Sequence, residues 1–188
     1  MLIVSPQLLQ RTLIAFAVFA LVGIAWSVSA AKRDVRRGAY LVLLSLSLSL
    51  IFALTFPVEL DLLTGSYPSI QSGIRSVEMG FSLNALMRAL SSFADTPEKV
   101  ANIALYVPFG FFAQVVMRRG WLVVGSGAAL SLLVELWQCF AVIRHGSVAD
   151  LLHNTTGVVL GVLAFWVFGF VSRLFRPRRA HQTSSDRG

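Results

Sequence analysis

Glu135 is the side chain best placed to carry chemistry, because it is a carboxylate inside a long apolar run. An unpaired carboxylate in hydrocarbon costs a few kcal/mol, so we expect Glu135 to be protonated or paired. Arg144 is the nearest basic residue in the sequence, and Asn102 is a candidate hydrogen-bond partner. Because acids inside membranes are usually functional, Glu135 is a candidate general acid or base, with a purely structural pair to Arg144 as the alternative.

Further polar residues and glycines recur at helical spacing, so that each set shares one face of its helix. The three sets are Asn102, Tyr106 and Gly110; Glu135 and Gln138; and Asp150, Asn154, Gly157 and Gly161. We predict that the polar members converge on one pocket, in which Glu135 and Asp150 are candidate catalytic groups. Candidate substrate-binding residues are Asn102, Tyr106, Gln138, Arg144 and Asn154.

Each of these residues also has a structural interpretation. Gln138 and Asn154 are typical of polar contacts between helices, and Tyr106 of an anchor at the membrane interface. Asp150 is placed to cap the start of a helix. The small residues Gly110, Gly157 and Gly161 predict close helix packing.

The composition of the chain indicates that these polar residues lie in a membrane protein. Of the 188 residues, 56% are hydrophobic and 13% are charged, which is too apolar for a soluble domain of this size. The net charge of +7 comes from short basic clusters at the ends of apolar runs, so we predict no nucleic-acid binding. One cysteine excludes a disulfide scaffold, no phosphate-binding loop or nucleophile elbow is present, and we predict neither a metal nor another cofactor.

Five apolar stretches are long enough to cross a bilayer as helices, at about residues 12–31, 39–57, 98–117, 121–142 and 150–172. In the second, Ser45, Ser47 and Ser49 alternate with apolar residues as in a strand. A helix is nevertheless predicted, because a lone strand leaves its backbone unpaired in lipid. The third has a clear start in Thr96 and Pro97. The predicted fold is an all-α bundle of five transmembrane helices.

Charge asymmetry predicts the orientation of this bundle. With the loop at 32–38 inside, the cytoplasmic side carries eleven basic residues against two acids. The N-terminus is then outside and the C-terminus cytoplasmic. The loop at about 58–96 is extracytoplasmic, and its apolar spacing predicts an interfacial helix that lies in the membrane interface or covers the bundle. We divide the chain into 1–97, a three-helix core at 98–172, and a basic tail at 173–188 that we expect to be disordered.

The motifs Asn102-x-x-x-Tyr106-x-Pro108-x-Gly110, Glu135-x-x-Gln138, Arg144 and Asp150-x-x-x-Asn154-x-x-Gly157-x-x-x-Gly161 resemble the VanZ-like family of bacterial membrane proteins. The resemblance covers roughly residues 98–165. The aspartate usual in the family between the arginine and Asp150 is absent, because His145, Gly146 and Ser147 follow Arg144. The family is named for a component of a glycopeptide-resistance cluster that gives low-level teicoplanin resistance. The resemblance implies a bacterial cytoplasmic membrane and a role in the cell envelope.

Three hypotheses describe the function. The first is a binding protein that recognises a polar lipid or a lipid-linked wall precursor at the outer leaflet and contributes to teicoplanin resistance. The second is an integral-membrane enzyme in which Glu135 or Asp150 acts on such a lipid as a general acid or base. The third is a small transporter subunit. Five spans without an internal repeat argue against it, because many transporter folds are built from repeats.

Overall fold

The computed structural model describes residues 6–31, 34–55, 69–140 and 146–175, and these residues form seven helices and no strand. The helices are α1 (Pro6–Ala30), α2 (Val35–Thr55), α3 (Ile70–Gly80), α4 (Leu83–Ser91), α5 (Pro97–Met117), α6 (Gly120–Cys139) and α7 (Val148–Leu174). Residues 173 and 174 of the predicted tail belong to the end of α7, and residues 176–188 lie outside the described residues. The last two residues of the second and of the fourth predicted span also lie outside them.

Five of these helices are long and apolar enough to cross a membrane, which confirms the predicted helical membrane bundle. They are α1, α2, α5, α6 and α7, and the described parts of the predicted spans extend beyond them by at most one residue at either end. α5 begins where the sequence predicts, directly after Thr96. Thr96 Oγ1 accepts a hydrogen bond from the backbone N–H of Lys99 at 3.4 Å, and Pro97 occupies the first helical position.

The alternating serines of α2 lie in a helix, as predicted. The hydroxyl of Ser47 donates to the carbonyl of Leu43 at 2.8 Å, and that of Ser49 donates to the carbonyl of Ser45 at 2.7 Å. The side chain of Ser45 also pairs with that of Ser27 on α1 at 2.9 Å. The serines are therefore satisfied inside the bundle, one turn back or on the neighbouring helix.

The helical structure predicted in the long loop is present, and it is divided into two short helices, α3 and α4. α3 ends at Gly80, and Ser82 caps α4 by accepting a hydrogen bond from the backbone N–H of Ala85 at 3.2 Å. α3 contacts α6 and α4 contacts α7, so both helices cover the same end of the bundle. A side chain at Gly73 would overlap the ring of Phe140, which shows how closely α3 approaches α6.

α5 lies at the centre of the bundle, where it contacts α2, α6 and α7, and α1 packs against α2. The core is formed by Ile51, Tyr106, Phe109, Ala113, Val123, Val158 and Val162. The closest helix contact is between α5 and α7. A Cβ atom would overlap the carbonyl oxygen of Val158 if placed at Gly110, that of Ile103 at Gly157, and that of Val107 at Gly161. Only glycine at these positions allows the two backbones to approach so closely.

Candidate functional site

A pocket of about 680 Å³ opens where α2 and α6 end and where α5 and α7 begin. Five of the predicted site residues line it: Asn102, Glu135, Gln138, Asp150 and Asn154. Its other lining residues include Glu98 and Thr55, and the apolar Leu54, Ala101, Ala104 and Leu105. The pocket therefore joins a polar surface from several helices to an apolar wall.

Asp150 lies in the first turn of α7, and its carboxylate accepts two hydrogen bonds, one from the N-cap of α7 and one from α5. Ser147 caps the helix, because its Oγ accepts from the backbone N–H of Asp150 at 3.1 Å and donates to Asp150 Oδ2 at 2.9 Å. The other oxygen, Oδ1, accepts from Asn102 Nδ2 at 2.7 Å. Asn102 is thus a partner of Asp150 and not, as the sequence suggested, of Glu135. Asp150 combines the capping role with a place in the pocket wall.

Glu135 is 2% exposed, and its carboxylate meets the beginning of α7. Oε2 accepts a hydrogen bond from the backbone N–H of Ser147 at 3.0 Å, and Oε1 lies 3.5 Å from Asn154 Nδ2. Arg144 lies outside the described residues, so its pairing with Glu135 and its predicted substrate contact stay predictions. These two contacts join α6 to α7.

Asn154 and Gln138 each tie one helix to another. Asn154 Nδ2 donates to the hydroxyl of Ser131 on α6 at 2.9 Å, and Gln138 Nε2 donates to the carbonyl of Thr55 at the end of α2 at 2.7 Å. The amide oxygen Oδ1 of Asn154 is buried and has no hydrogen-bond partner among the described residues. A buried acceptor of this kind in a pocket wall is suited to a donor from a ligand or a water molecule.

Tyr106 does not line this pocket, although it shares a helix face with Asn102. Its side chain is fully buried in the hydrophobic core, one turn further along α5. Tyr106 therefore does not sit at a surface as an interfacial anchor would. A direct contact with a substrate would require the core to open, and its predicted binding role stays a prediction.

The comparison with protein families matches residues 13–169 to VanZ/LLP1, which is most of the chain. The protein belongs to the VanZ-like family. The match includes α2 and most of α1, whereas the resemblance read from the motifs covered only the last three spans. Neither the comparison with curated proteins nor that with solved structures finds a match.

Four polar residues at the site of this VanZ-like protein were missed in the sequence: Glu98, Ser131, Ser147 and Thr55. Ser147 lies three residues before Asp150, which is the spacing of a helix cap, and Ser131 lies four before Glu135 on the same face. These two spacings were available signals. Thr55 contributes only a backbone carbonyl to Gln138, and a backbone contact leaves no signal in the residue type.

His153 and Lys99 lie close to this pocket of the VanZ-like protein without lining it. The imidazole of His153 is fully buried, packs on the ring of Phe93 at 4.9 Å between centroids, and lies 4.0 Å from Asp150 Oδ1. Lys99 Nζ donates to Asp95 Oδ1 at 2.5 Å and to the carbonyl of Ser92 at 2.7 Å. The hydrogen bond from Lys99 holds the pKa of the Asp95 carboxyl below its usual 3.8.

Proposed function

We propose that this VanZ-like membrane protein binds the polar headgroup of an envelope lipid, or of a lipid-linked wall precursor, in the pocket at the start of α5 and α7. The observation that carries the proposal is the amphipathic lining of this pocket. Polar groups from α5, α6 and α7 face the apolar residues Leu54 and Leu105 across a space of about 680 Å³. This volume is in the range of small-molecule sites, and the lining suits an amphiphile.

The polar lining favours a headgroup that donates hydrogen bonds. Glu98, Glu135 and Asp150 contribute carboxylates, and no lysine or arginine is among the described lining residues. Asn154 Oδ1 adds an acceptor that has no partner in the described structure. Sugar hydroxyls, amide N–H groups and amines are donors that would match this surface. The site would lie at the outer leaflet in the predicted orientation.

A contribution to teicoplanin resistance fits such a site. The VanZ-like family is named for a resistance component, and glycopeptides act on the cell wall. A protein that holds a wall precursor would change how much of that precursor an antibiotic can reach. The proposal therefore predicts that substitutions in the pocket alter teicoplanin susceptibility together with lipid binding.

The test is native mass spectrometry of the full chain extracted with its lipids, compared between wild type and Glu135→Gln. Glutamine keeps the shape of the side chain while removing its charge, so the fold is expected to persist and the bound lipid to be lost. Glu78→Gln is the matched control, because Glu78 is an exposed carboxylate on α3 that does not line the pocket. Teicoplanin susceptibility of cells that express each variant gives a second readout.

Other results for Glu135→Gln would favour an enzyme or a purely structural role for Glu135 over lipid binding. A bound lipid of different mass in Glu135→Gln would indicate that a substrate accumulates, and would favour the enzyme. A loss of stability that Arg144→Gln restores would identify Glu135 as a structural counter-ion. Identical lipid masses and amounts in all three proteins, with unchanged susceptibility, would contradict a role for Glu135 in binding.

A further inference from the structure

A second pocket lies at the opposite end of the bundle, where α2 begins and α5 ends. Its volume is about 590 Å³, and it is lined by Asp34, Arg36, Arg37, Tyr40, Val115, Val116 and Arg118. Three arginines thus line one space: Arg36 and Arg37 from the first turn of α2, and Arg118 directly after the end of α5. This pocket and the candidate headgroup site are at opposite ends of α2 and α5, so a ligand bound here is independent of the proposed function.

The arginines of this pocket are available to an anion. Asp34 contributes the one carboxylate among the described lining residues, and its Oδ1 accepts a hydrogen bond from the backbone N–H of Arg37 at 3.1 Å. Asp34 therefore serves the first turn of α2. In the part of the chain that the structure describes, no ion pair within 4.0 Å joins Asp34 to Arg36, Arg37 or Arg118. The positive charge of the pocket is left for a ligand to balance.

The backbone of Arg118 is a second, independent observation. Arg118 ends α5 in the left-handed conformation, with φ of 57°, and its N–H donates to the carbonyl of Gln114 at 3.0 Å. Glycine is the usual residue at such a helix end, because it adopts this conformation without steric cost. An arginine that occupies a strained position and lines a basic pocket points to a role for its side chain.

The position of the pocket indicates what kind of anion it holds. Val115 and Val116 belong to a membrane-spanning helix, and Tyr40 is 41% exposed near the start of another. Tyrosine at the end of a span is typical of the membrane interface, where phosphates of lipids lie. Basic pockets between the ends of spanning helices are known to suit anionic headgroups. We propose that this pocket binds the phosphate of an anionic phospholipid, with the acyl chains lying against the apolar faces of α2 and α5.

The experiment uses the full chain in detergent, incubated with equal amounts of phosphatidylglycerol and phosphatidylcholine of the same acyl composition. Native mass spectrometry is expected to show wild type retaining mainly phosphatidylglycerol. Each arginine near a lipid phosphate contributes about fivefold in affinity, so Arg36→Gln with Arg37→Gln and Arg118→Gln should remove this preference. Arg173→Gln is the matched control, since Arg173 lies in the last turn of α7, at the same end of the bundle but outside the pocket.

Arg118→Gly distinguishes a ligand contact from a structural role, and it does not depend on the triple variant folding. Glycine relieves the left-handed backbone, so thermal stability should be unchanged or higher while retained phosphatidylglycerol falls about fivefold. Full retention of phosphatidylglycerol by Arg118→Gly would overturn the proposal. Equal losses in Arg173→Gln would show a general charge effect, and displacement of the lipid by inorganic phosphate would show a site for free phosphate. Either result would also overturn it.

Discussion

The carboxylate of Glu135 completes the start of a neighbouring helix: its Oε2 accepts a hydrogen bond from the backbone N–H of Ser147 at 3.0 Å. Ser147 is the N-cap of α7, and in a capping box its N–H would bond to the side chain three residues later. That side chain is Asp150, whose carboxylate oxygens are engaged by Asn102 Nδ2 and Ser147 Oγ. Glu135 on α6 takes over the remaining cap contact and joins the end of α6 to the beginning of α7.

This contact predicts the behaviour of Glu135→Ala. Loss of the carboxylate leaves the Ser147 N–H without its acceptor, at a cost of about 1.5–3 kcal/mol for a hydrogen bond to a charged group. Hydrogen exchange in the first turn of α7 should become at least about tenfold faster, measured by mass spectrometry in detergent. Glu135→Gln keeps an acceptor oxygen and should exchange more slowly than Glu135→Ala. Exchange in Glu135→Ala equal to that of the exposed control Glu78→Ala would contradict the cap contact.

Gly157→Ala should destabilise the bundle. The added Cβ would overlap the carbonyl oxygen of Ile103, and α5 would have to move away from α7. Overpacking of this kind costs about 1–3 kcal/mol, so the thermal unfolding temperature in detergent should fall. Gly169→Ala on the same helix is the control, because a Cβ there meets nothing within 4 Å. Gly169→Ala should be neutral or slightly stabilising, and equal unfolding temperatures for the two variants would rule out tight packing at Gly157.

The predicted orientation can be tested with single cysteines in a Cys139→Ala background. Gln71 is exposed on α3, and Arg119 is exposed between α5 and α6, at the opposite end of the bundle. In intact cells, Gln71→Cys should react with an impermeant thiol reagent. Arg119→Cys should react only after the membrane is permeabilised. The reverse pattern would place the candidate headgroup pocket at the cytoplasmic side.

The ion pair of Asp95 and Lys99 should contribute stability in a pH-dependent way. Because the pKa of the Asp95 carboxyl is held below 3.8 in the folded protein, the contribution is present at neutral pH and is lost as the pH falls through the lowered pKa. Asp95→Asn should lower the unfolding temperature slightly at pH 7, since the pair is exposed. The difference from wild type should vanish in acid and shrink at high salt. A difference that persists in acid would point to a cause other than this charge.

Local properties of the sequence determined the membrane helices of this VanZ-like protein. Length and hydropathy identify the five spans, and Thr96 with Pro97 marks the start of α5, because each signal depends on residues close together in the chain. Helical spacing also identified the polar residues that share a face. The sequence also contained a local signal for the break between α3 and α4, namely Gly80 and the capping residue Ser82. This signal was overlooked because the helical spacing of apolar residues continues across the break.

The choice of partners was decided only by the tertiary structure. Asn102 bonds to Asp150, Glu135 bonds to the backbone of Ser147, and Tyr106 is buried in the core although it shares a face with Asn102. These outcomes depend on how far each helix is rotated and how deep each residue lies against its neighbours. The spacing of residues along one helix does not reveal its rotation or the depth of its residues. Both are set by packing between helices, as at α5 and α7, where glycines allow the two backbones to approach closely.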